Sequence, residues 1–257
     1  MTNVIDPRVA GAEAVPRSGT SLGFSITMAF QPIVDMESRQ VYSYEALVRG
    51  TRGESAAHVL SRVKDDNRYV FDQICRMKAL SLGKRLHITT GLNINFMPNA
   101  LYELDTCLRT TVRAAGHYGF PIEQIVFEVM EGERVVDIHR VAEVIHECQR
   151  QGLRIAIDDF GAGYAGLNLL ADLHPDLIKL DIGLCRSIDT SRVRQAIVHG
   201  VMVACHDLHI EVIAEGVEQL GELATLRNLG VRYFQGFLFA RPALESLPDV
   251  TWPSASA

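Results

Sequence analysis

The sequence predicts an α/β fold: a modified (β/α)8 barrel of the TIM type whose first strand runs antiparallel to the rest. Three observations carry this. Short apolar runs rich in Val, Ile, Phe and Tyr alternate with amphipathic helix-like stretches, the pattern of a largely parallel sheet. About eight such units fit within the 257 residues, close to the roughly 250 that one barrel occupies. The first two runs are separated only by Met36–Gln40, too short for the crossover that parallel neighbours need. An open doubly wound sheet is the alternative arrangement of the same units.

In chain order, the strands are expected at Phe30–Asp35, Val41–Arg49, Gly91–Asn95, Ile125–Val129, Arg154–Asp158, Leu177–Asp181, Glu211–Ala214 and Tyr233–Phe239. Between Val135 and Gln149 the apolar spacing is helical. Val136, His139, Val141, Val144, Ile145 and Cys148 share one face there, and Gly152 follows as a stop. The segment Arg62–Arg68 reads as a solvated helix face, and Trp252 as the anchor of the C-terminal segment. Residues 1–23 read as a flexible arm, 24–247 as the barrel and 248–257 as a tail.

Hydrophobic residues make up 47% and charged residues 22% of the chain, ordinary globular values. The net charge of −6 argues against a binder of polymeric nucleic acid, which needs a basic surplus. Cys75, Cys107, Cys148, Cys185 and Cys205 show no C-x-x-C spacing. They read as scattered thiols in a reducing compartment, which places the chain in the cytoplasm. No stretch reaches the roughly 20 apolar residues of a membrane span, and the N-terminus carries no signal-peptide pattern.

The chemistry lies at the ends of the strands. Glu45 sits in YSYEALVR, Asn93 and Asn95 in GLNIN, Glu128 ends IVFE, and Asp158-Asp159 end RIAIDD. Lys179 and Asp181 end LIKLD, Glu215 ends VIAE, and Gln235 follows YF. In a barrel these ends converge on one face, where barrel enzymes place their active sites. The period of two puts Lys179 with Asp181, Asn93 with Asn95, and Glu45 with Leu47 and Arg49. Any one such residue could be a satisfied core group or a helix cap. The set together is different, because burying several carboxylates costs several kcal/mol each unless cations pair with them. One lysine cannot neutralise them all; bound metal ions can. Carboxylates and an amide oxygen, with no cysteine, suit hard cations such as Mg²⁺ or Mn²⁺. Adjacent acids such as Asp158-Asp159 can serve two metals about 3.5–4 Å apart. The following FGAGYAGL reads as a phosphate cradle, a lid or a plain strand-to-helix turn.

The strings EALVRG (Glu45–Gly50), DDFGAGYAGL (Asp158–Leu167), IKLD (Ile178–Asp181), AEGVE (Ala214–Glu218) and FQGFLFARP (Phe234–Pro242) occur in this order. Together they resemble the EAL-domain family of cyclic di-GMP phosphodiesterases, from about Gln31 to about Pro242. The resemblance implies a barrel with an antiparallel first strand that hydrolyses cyclic di-GMP to pGpG and so lowers the second messenger. It implies one metal held by Glu45, Asn93, Glu128 and Asp158, and a second by Asp158, Asp159 and Glu215. Lys179, supported by Asp181, would orient the attacking water. Arg49 would grip a phosphate. Gln31, Leu47, Asp181, Glu218 and Gln235 would contact the dinucleotide, and Glu131 would tether the glycine loop. The cations would be Mg²⁺ or Mn²⁺, with Ca²⁺ inhibitory. A homodimer and a fused or separate sensor or diguanylate cyclase partner also belong to the family picture.

The chain departs from the family pattern at Asn95, Met130, Ala165 and Gly166. None of these is an implied metal ligand, but they bear on the glycine loop and on catalytic rate. A non-catalytic cyclic di-GMP receptor is the alternative, and a barrel hydrolase of another phosphodiester the third reading. His206 and His209 lie near Cys205 without a partner carboxylate pattern, and with His139 and His146 they read as ordinary helix positions.

Overall fold

The computed structural model describes residues 22–97, 104–131, 138–163 and 166–253. Among these residues nine strands form one sheet: β1 (Ile26–Asp35), β2 (Gln40–Gly50), β3 (Gly91–Asn95), β4 (Ile125–Met130), β5 (Arg154–Phe160), β6 (Leu177–Leu180), β7 (Glu211–Ala214), β8 (Tyr233–Phe234) and β9 (Ala243–Leu244). From β2 to β8 neighbours are parallel and in chain order. β1 runs antiparallel to both β2 and β8 and closes the barrel. The first connection is therefore a hairpin, as its length demands. Asp35 secures the turn, accepting from Glu37 N at 2.9 Å and from Ser38 Oγ at 2.8 Å.

The helices cover the outside: α1 (Ala56–Leu60), α2 (Arg68–Arg85), α3 (Leu104–Tyr118), α4 (Ile138–Arg150), α5 (Gly166–Leu173), α6 (Ile182–Cys185), α7 (Arg192–Asp207) and α8 (Leu220–Asn228). Strand residues of one parity, such as Phe30, Leu92, Phe127, Ile155, Ile178, Val212 and Phe234, face this helical layer and form the main core. The other parity faces the barrel axis in layers. At the N-terminal end, Glu211 accepts from Tyr42 Oη at 2.7 Å and Tyr233 Oη at 3.2 Å, and pairs with Arg154. Above it lie Ile33, Val126, Ala156, Leu177 and Ile213, an apolar plug. The polar strand-end residues form the next layer.

Several boundaries differ from expectation. β1 begins at Ile26, because Thr27 interrupts the apolar run without leaving the ladder. β6 ends at Leu180, and Asp181 caps α6 through Gly183 N at 2.8 Å. β8 stops at Phe234. The apolar string after it is a turn, packed so that Val217 N donates to Gln235 O at 3.1 Å and Leu238 N to Val217 O at 3.1 Å. The chain then rejoins β1 as β9, a two-residue strand too short to signal itself in sequence.

α4 begins at Ile138; Val135 and Val136 lie outside the described residues. Its buried face is Val141, Val144, Ile145 and Cys148, whereas His139 is exposed. Gly152, at φ +92°, follows the helix in the left-handed region. Residues 62–67 lie between α1 and α2 as turns and irregular backbone rather than as a helix face. Trp252 packs on the core under the Arg39 guanidinium. The residues 1–21 of the expected arm and 254–257 of the tail, together with Ala165 and the Cys107 side chain, fall outside the description. The four described cysteines are free thiols.

Candidate active site

The parallel register sets Glu45 beside Asn93 and Asn95 beside Glu128, so residues from separate strands reach one level of the barrel. At its centre is Lys179, only 1% exposed. Its Nζ lies 2.8 Å from Glu215 Oε1, 3.0 Å from Glu128 Oε1, 3.0 Å from Asp158 Oδ1 and 3.3 Å from Glu45 Oε2. Amides hold the carboxylates from behind. Asn93 Nδ2 donates to Glu128 Oε1 at 2.8 Å, Asn95 Nδ2 to Glu45 Oε1 at 3.3 Å and Gln235 Nε2 to Glu45 Oε2 at 2.7 Å. Gln235 also donates to Gln31 Oε1 at 3.3 Å, and Gln31 donates to Ala240 O at 3.0 Å.

Asp158 and Asp159 should point to opposite faces of a regular strand. The β5–β6 register breaks between Ile157 and Phe160, and Asp159 adopts φ +54°. This left-handed conformation, costly by about 1–2 kcal/mol for a residue with a Cβ, turns the second carboxylate back toward the first.

The electrostatics follow from burial and crowding. Burial, together with Glu45 and Asp158, raises the Glu128 pKa well above the ordinary range, against the pull of Lys179. Burial likewise lifts Glu215 to about 8, the Lys179 ammonium opposing it and Asp158 adding to it. For Glu45, burial is outweighed by Lys179, Gln235, and Asn95, and the pKa is lowered. Burial acts against the Lys179 ammonium, but Asp158, Glu128, Glu215 and Glu45 overcome it and hold the lysine charged. Asp159 is raised by burial and by Asp158 and Asp181.

Two groups of carboxylates have ligand oxygens within 4.8 Å of one another: Glu45, Glu128 and Asp158, and Asp158, Asp159 and Glu215. They share Asp158. Asn93 Oδ1 and Glu128 Oε2 are buried and accept no hydrogen bond among the described residues, although each could. An all-oxygen donor set with orphaned acceptors fits hard divalent cations.

A cavity of about 320 Å³ opens over this layer. Gln31, Leu47, Glu218 and Gln235 line it, as do Ile182 and Phe237, which motif reading did not single out. An exposed aromatic in FQGFLFARP was the available signal for Phe237. Asn95 stands at a strand end beside Asn93, as the sequence predicts; its grip on Glu45 depends on which strands are neighbours. Arg49 does not line the cavity; its Nη1 donates to Val48 O at 2.7 Å. Asp181 Oδ1 accepts from Gly183 N, and no contact with Lys179 accompanies it among the described residues. Glu131, at the end of β4, accepts from Gly161 N at 2.6 Å and Gly166 N at 2.8 Å, spanning the glycine loop.

The fold and the site together define an α/β barrel with a cluster of carboxylates, suited to divalent cations, at the C-terminal ends of its strands. The chain belongs to the EAL domain family, whose model matches residues 21–242. It is similar to a standalone versatile EAL protein from Vibrio cholerae O395, solved in a c-di-GMP-bound form. That likeness has 50% identity and a TM-score of 0.87, and covers 90% of this chain and 98% of that one. It is also similar to Klebsiella pneumoniae BlrP1 in a manganese and cyclic di-GMP complex, at 38% identity and a TM-score of 0.85, covering 90% and 59%. Among curated proteins, the blue light- and temperature-regulated antirepressor BluF of Escherichia coli K12 is 33% identical over 226 residues, 88% of this chain and 56% of that protein. Two further relatives, at 27% and 30% identity, are named a probable cyclic di-GMP phosphodiesterase and a cyclic di-GMP phosphodiesterase. The chain spans about half the length, or less, of these curated relatives.

Proposed function

We propose that the chain is a metal-dependent phosphodiesterase that hydrolyses cyclic di-GMP to linear pGpG. The observation that carries this reading is the pair of carboxylate groups sharing Asp158 around a buried lysine. Glu45, Asn93, Glu128 and Asp158 would hold one divalent cation, Mg²⁺ or Mn²⁺; Asp158, Asp159 and Glu215 would hold the other. Bound there, such cations would supply Lewis acidity and lower the pKa of the water that attacks phosphorus in line. Lys179 orients that water and stabilises charge gathering on the phosphoryl oxygens. Asp181 caps α6 beside Asp159 and shapes the approach to the water. Gln31, Leu47, Glu218 and Gln235 seat the dinucleotide, with Arg49 turning from the Val48 carbonyl to a phosphate. Glu131 holds the glycine loop, and with it Asp159, in the bound geometry. The P–O bond to the 3′ oxygen breaks and that oxygen takes a proton from solvent, leaving a 5′-phosphate. Ca²⁺ would occupy the same oxygens without supporting turnover.

Purified protein incubated with Mn²⁺ or Mg²⁺ and cyclic di-GMP tests this directly. Accumulation of pGpG is expected; none under any cation refutes the reading. A second reading, a cyclic di-GMP receptor without turnover, is favoured by the likeness to a protein named an antirepressor. Calorimetric binding with intact ligand recovered afterwards would select it. No described helix is long and apolar enough to cross a membrane, which accords with a cytoplasmic enzyme. A homodimer, measured by sedimentation, and a sensor or cyclase partner complete the proposal.

A further inference from the structure

Glu222 lies in α8, outside the carboxylate cluster, and is 2% exposed. Removing an ionised carboxylate from water is costly unless other donors replace the water. Three backbone N–H groups do so here. Ser187 N donates to Oε1 at 2.9 Å, and Glu218 N and Gln219 N donate to Oε2 at 3.0 and 3.1 Å. Burial pushes the carboxyl pKa up, but these bonds hold it below the usual range.

A helix cap needs only the Gln219 bond. The Ser187 bond comes from another loop, 35 residues earlier. Glu222 thus joins the turn after α6 to the turn after β7. Further contacts cross the same gap. Arg186 donates to both carboxylate oxygens of Glu218, at 2.9 and 2.8 Å. Gly216, at φ +62°, has no room for a Cβ beside Ile182. A Cβ on Gly221 would lie 2.6 Å from Asp189 Oδ2. Ser187 itself sits at φ +55°, a conformation that needs outside support.

Both sides of this tie carry cavity-lining residues: Ile182 in α6, which leads into the first turn, and Gly216 and Glu218 on the second. We propose that Glu222 is a positioning residue for the cavity: by tying these two turns it fixes the wall formed by Ile182, Gly216 and Glu218, and so the grip on the substrate. It touches no reacting atom. Lys179 and the acids on β2, β4 and β5 are held by the sheet and do not depend on this tie. The kinetic consequence rests on the phosphodiesterase reading above; the structural one does not.

The test compares Glu222→Ala and Glu222→Gln with the wild type in the full chain. In Glu222→Ala, KM for cyclic di-GMP is expected to rise about fivefold or more, with kcat at saturating substrate and Mn²⁺ within twofold. Glu222→Gln keeps one carbonyl oxygen for two of the three donors, so its KM should fall between the two. Amide exchange at Ser187, Glu218 and Gln219 should quicken at least tenfold in Glu222→Ala, with β4 and β5 unchanged. An unchanged KM alongside faster exchange would refute the positioning role. A fall in kcat with exchange raised throughout the barrel would reduce Glu222 to a folding residue and also refute it; if Glu222→Ala does not fold, Glu222→Gln supplies both readouts. The exchange measurement needs no substrate. A wild type that hydrolyses nothing refutes the activity reading, whereas unchanged exchange refutes the tie.

Discussion

At the scale of single residues, Lys179 shows how much one position can carry. Its ammonium faces four carboxylates at 2.8–3.3 Å in a site with five acids, so one positive charge stands against several negative ones. Divalent cations would restore the balance. Asp158→Asn removes the carboxylate common to both groups and is expected to lower turnover more than about 100-fold, a larger loss than outer-shell changes cause. Glu45→Ala should do the same; near-normal pGpG production by either variant would refute the site. The raised pKa of Glu215, about 8, gives a second expectation. Below that pH the free site holds a proton that a cation must displace. Mn²⁺ affinity should therefore rise from pH 6 toward pH 8.5, with proton release seen as a buffer-dependent calorimetric enthalpy. A pH-independent affinity would mean that Glu215 is ionised before the cation arrives. These residue types and their places at strand ends are legible in the sequence. That Asp158 and Asp159 turn to one side is not, because it depends on a register break and on a left-handed backbone at Asp159.

At the scale of elements, the hairpin and the turns after the strands decide the outcome. Asp35 holds the β1–β2 turn and pairs with Arg232, at 3.0 Å to Nε and 2.6 Å to Nη2. The Arg232 guanidinium, against the effect of burial and with help from Ser38 and the turn amides, lowers its pKa. A carboxyl depressed in the folded state adds stability above its unfolded pKa, near 4, and that contribution is lost as pH falls below it. Asp35→Asn should cost about 1–3 kcal/mol at pH 7 and clearly less near pH 2, where the loss is under way but not complete. Equal destabilisation at both values, measured by urea titration, would show that charge is not the cause. Gly236 is a second pressure point, since a Cβ there would overlap the Val217 backbone. Gly236→Ala should destabilise by about 1–3 kcal/mol and open the cavity mouth, seen as a lower unfolding midpoint. The sequence shows the apolar string here but not that it turns. Only the neighbouring β7 turn, which takes its hydrogen bonds, makes it leave the strand at Phe234.

At the scale of the whole molecule, the barrel separates stability from chemistry. The Tyr42–Arg154–Glu211–Tyr233 cluster closes one end, the acid cluster occupies the other, and an apolar layer lies between them. Glu211→Ala should lower stability by about 1–3 kcal/mol, because it strips the partner from Arg154 and two phenols. kcat and KM should stay within about twofold. A large kinetic effect would show that the two ends are coupled through the plug.

The sequence by itself determined the barrel, its antiparallel opening strand and the acids, amides and lysine at the strand ends. Periodicity, connection length and residue type are local properties, and each is read along one chain segment. The tertiary structure decided which of those groups meet. Asn95 reaches Glu45, Glu222 reaches Ser187 and β9 finds β1 only because distant segments are brought side by side. It also decided that Arg49 and Asp181 turn to neighbouring backbone, where a hydrogen bond close at hand competes with a more distant partner.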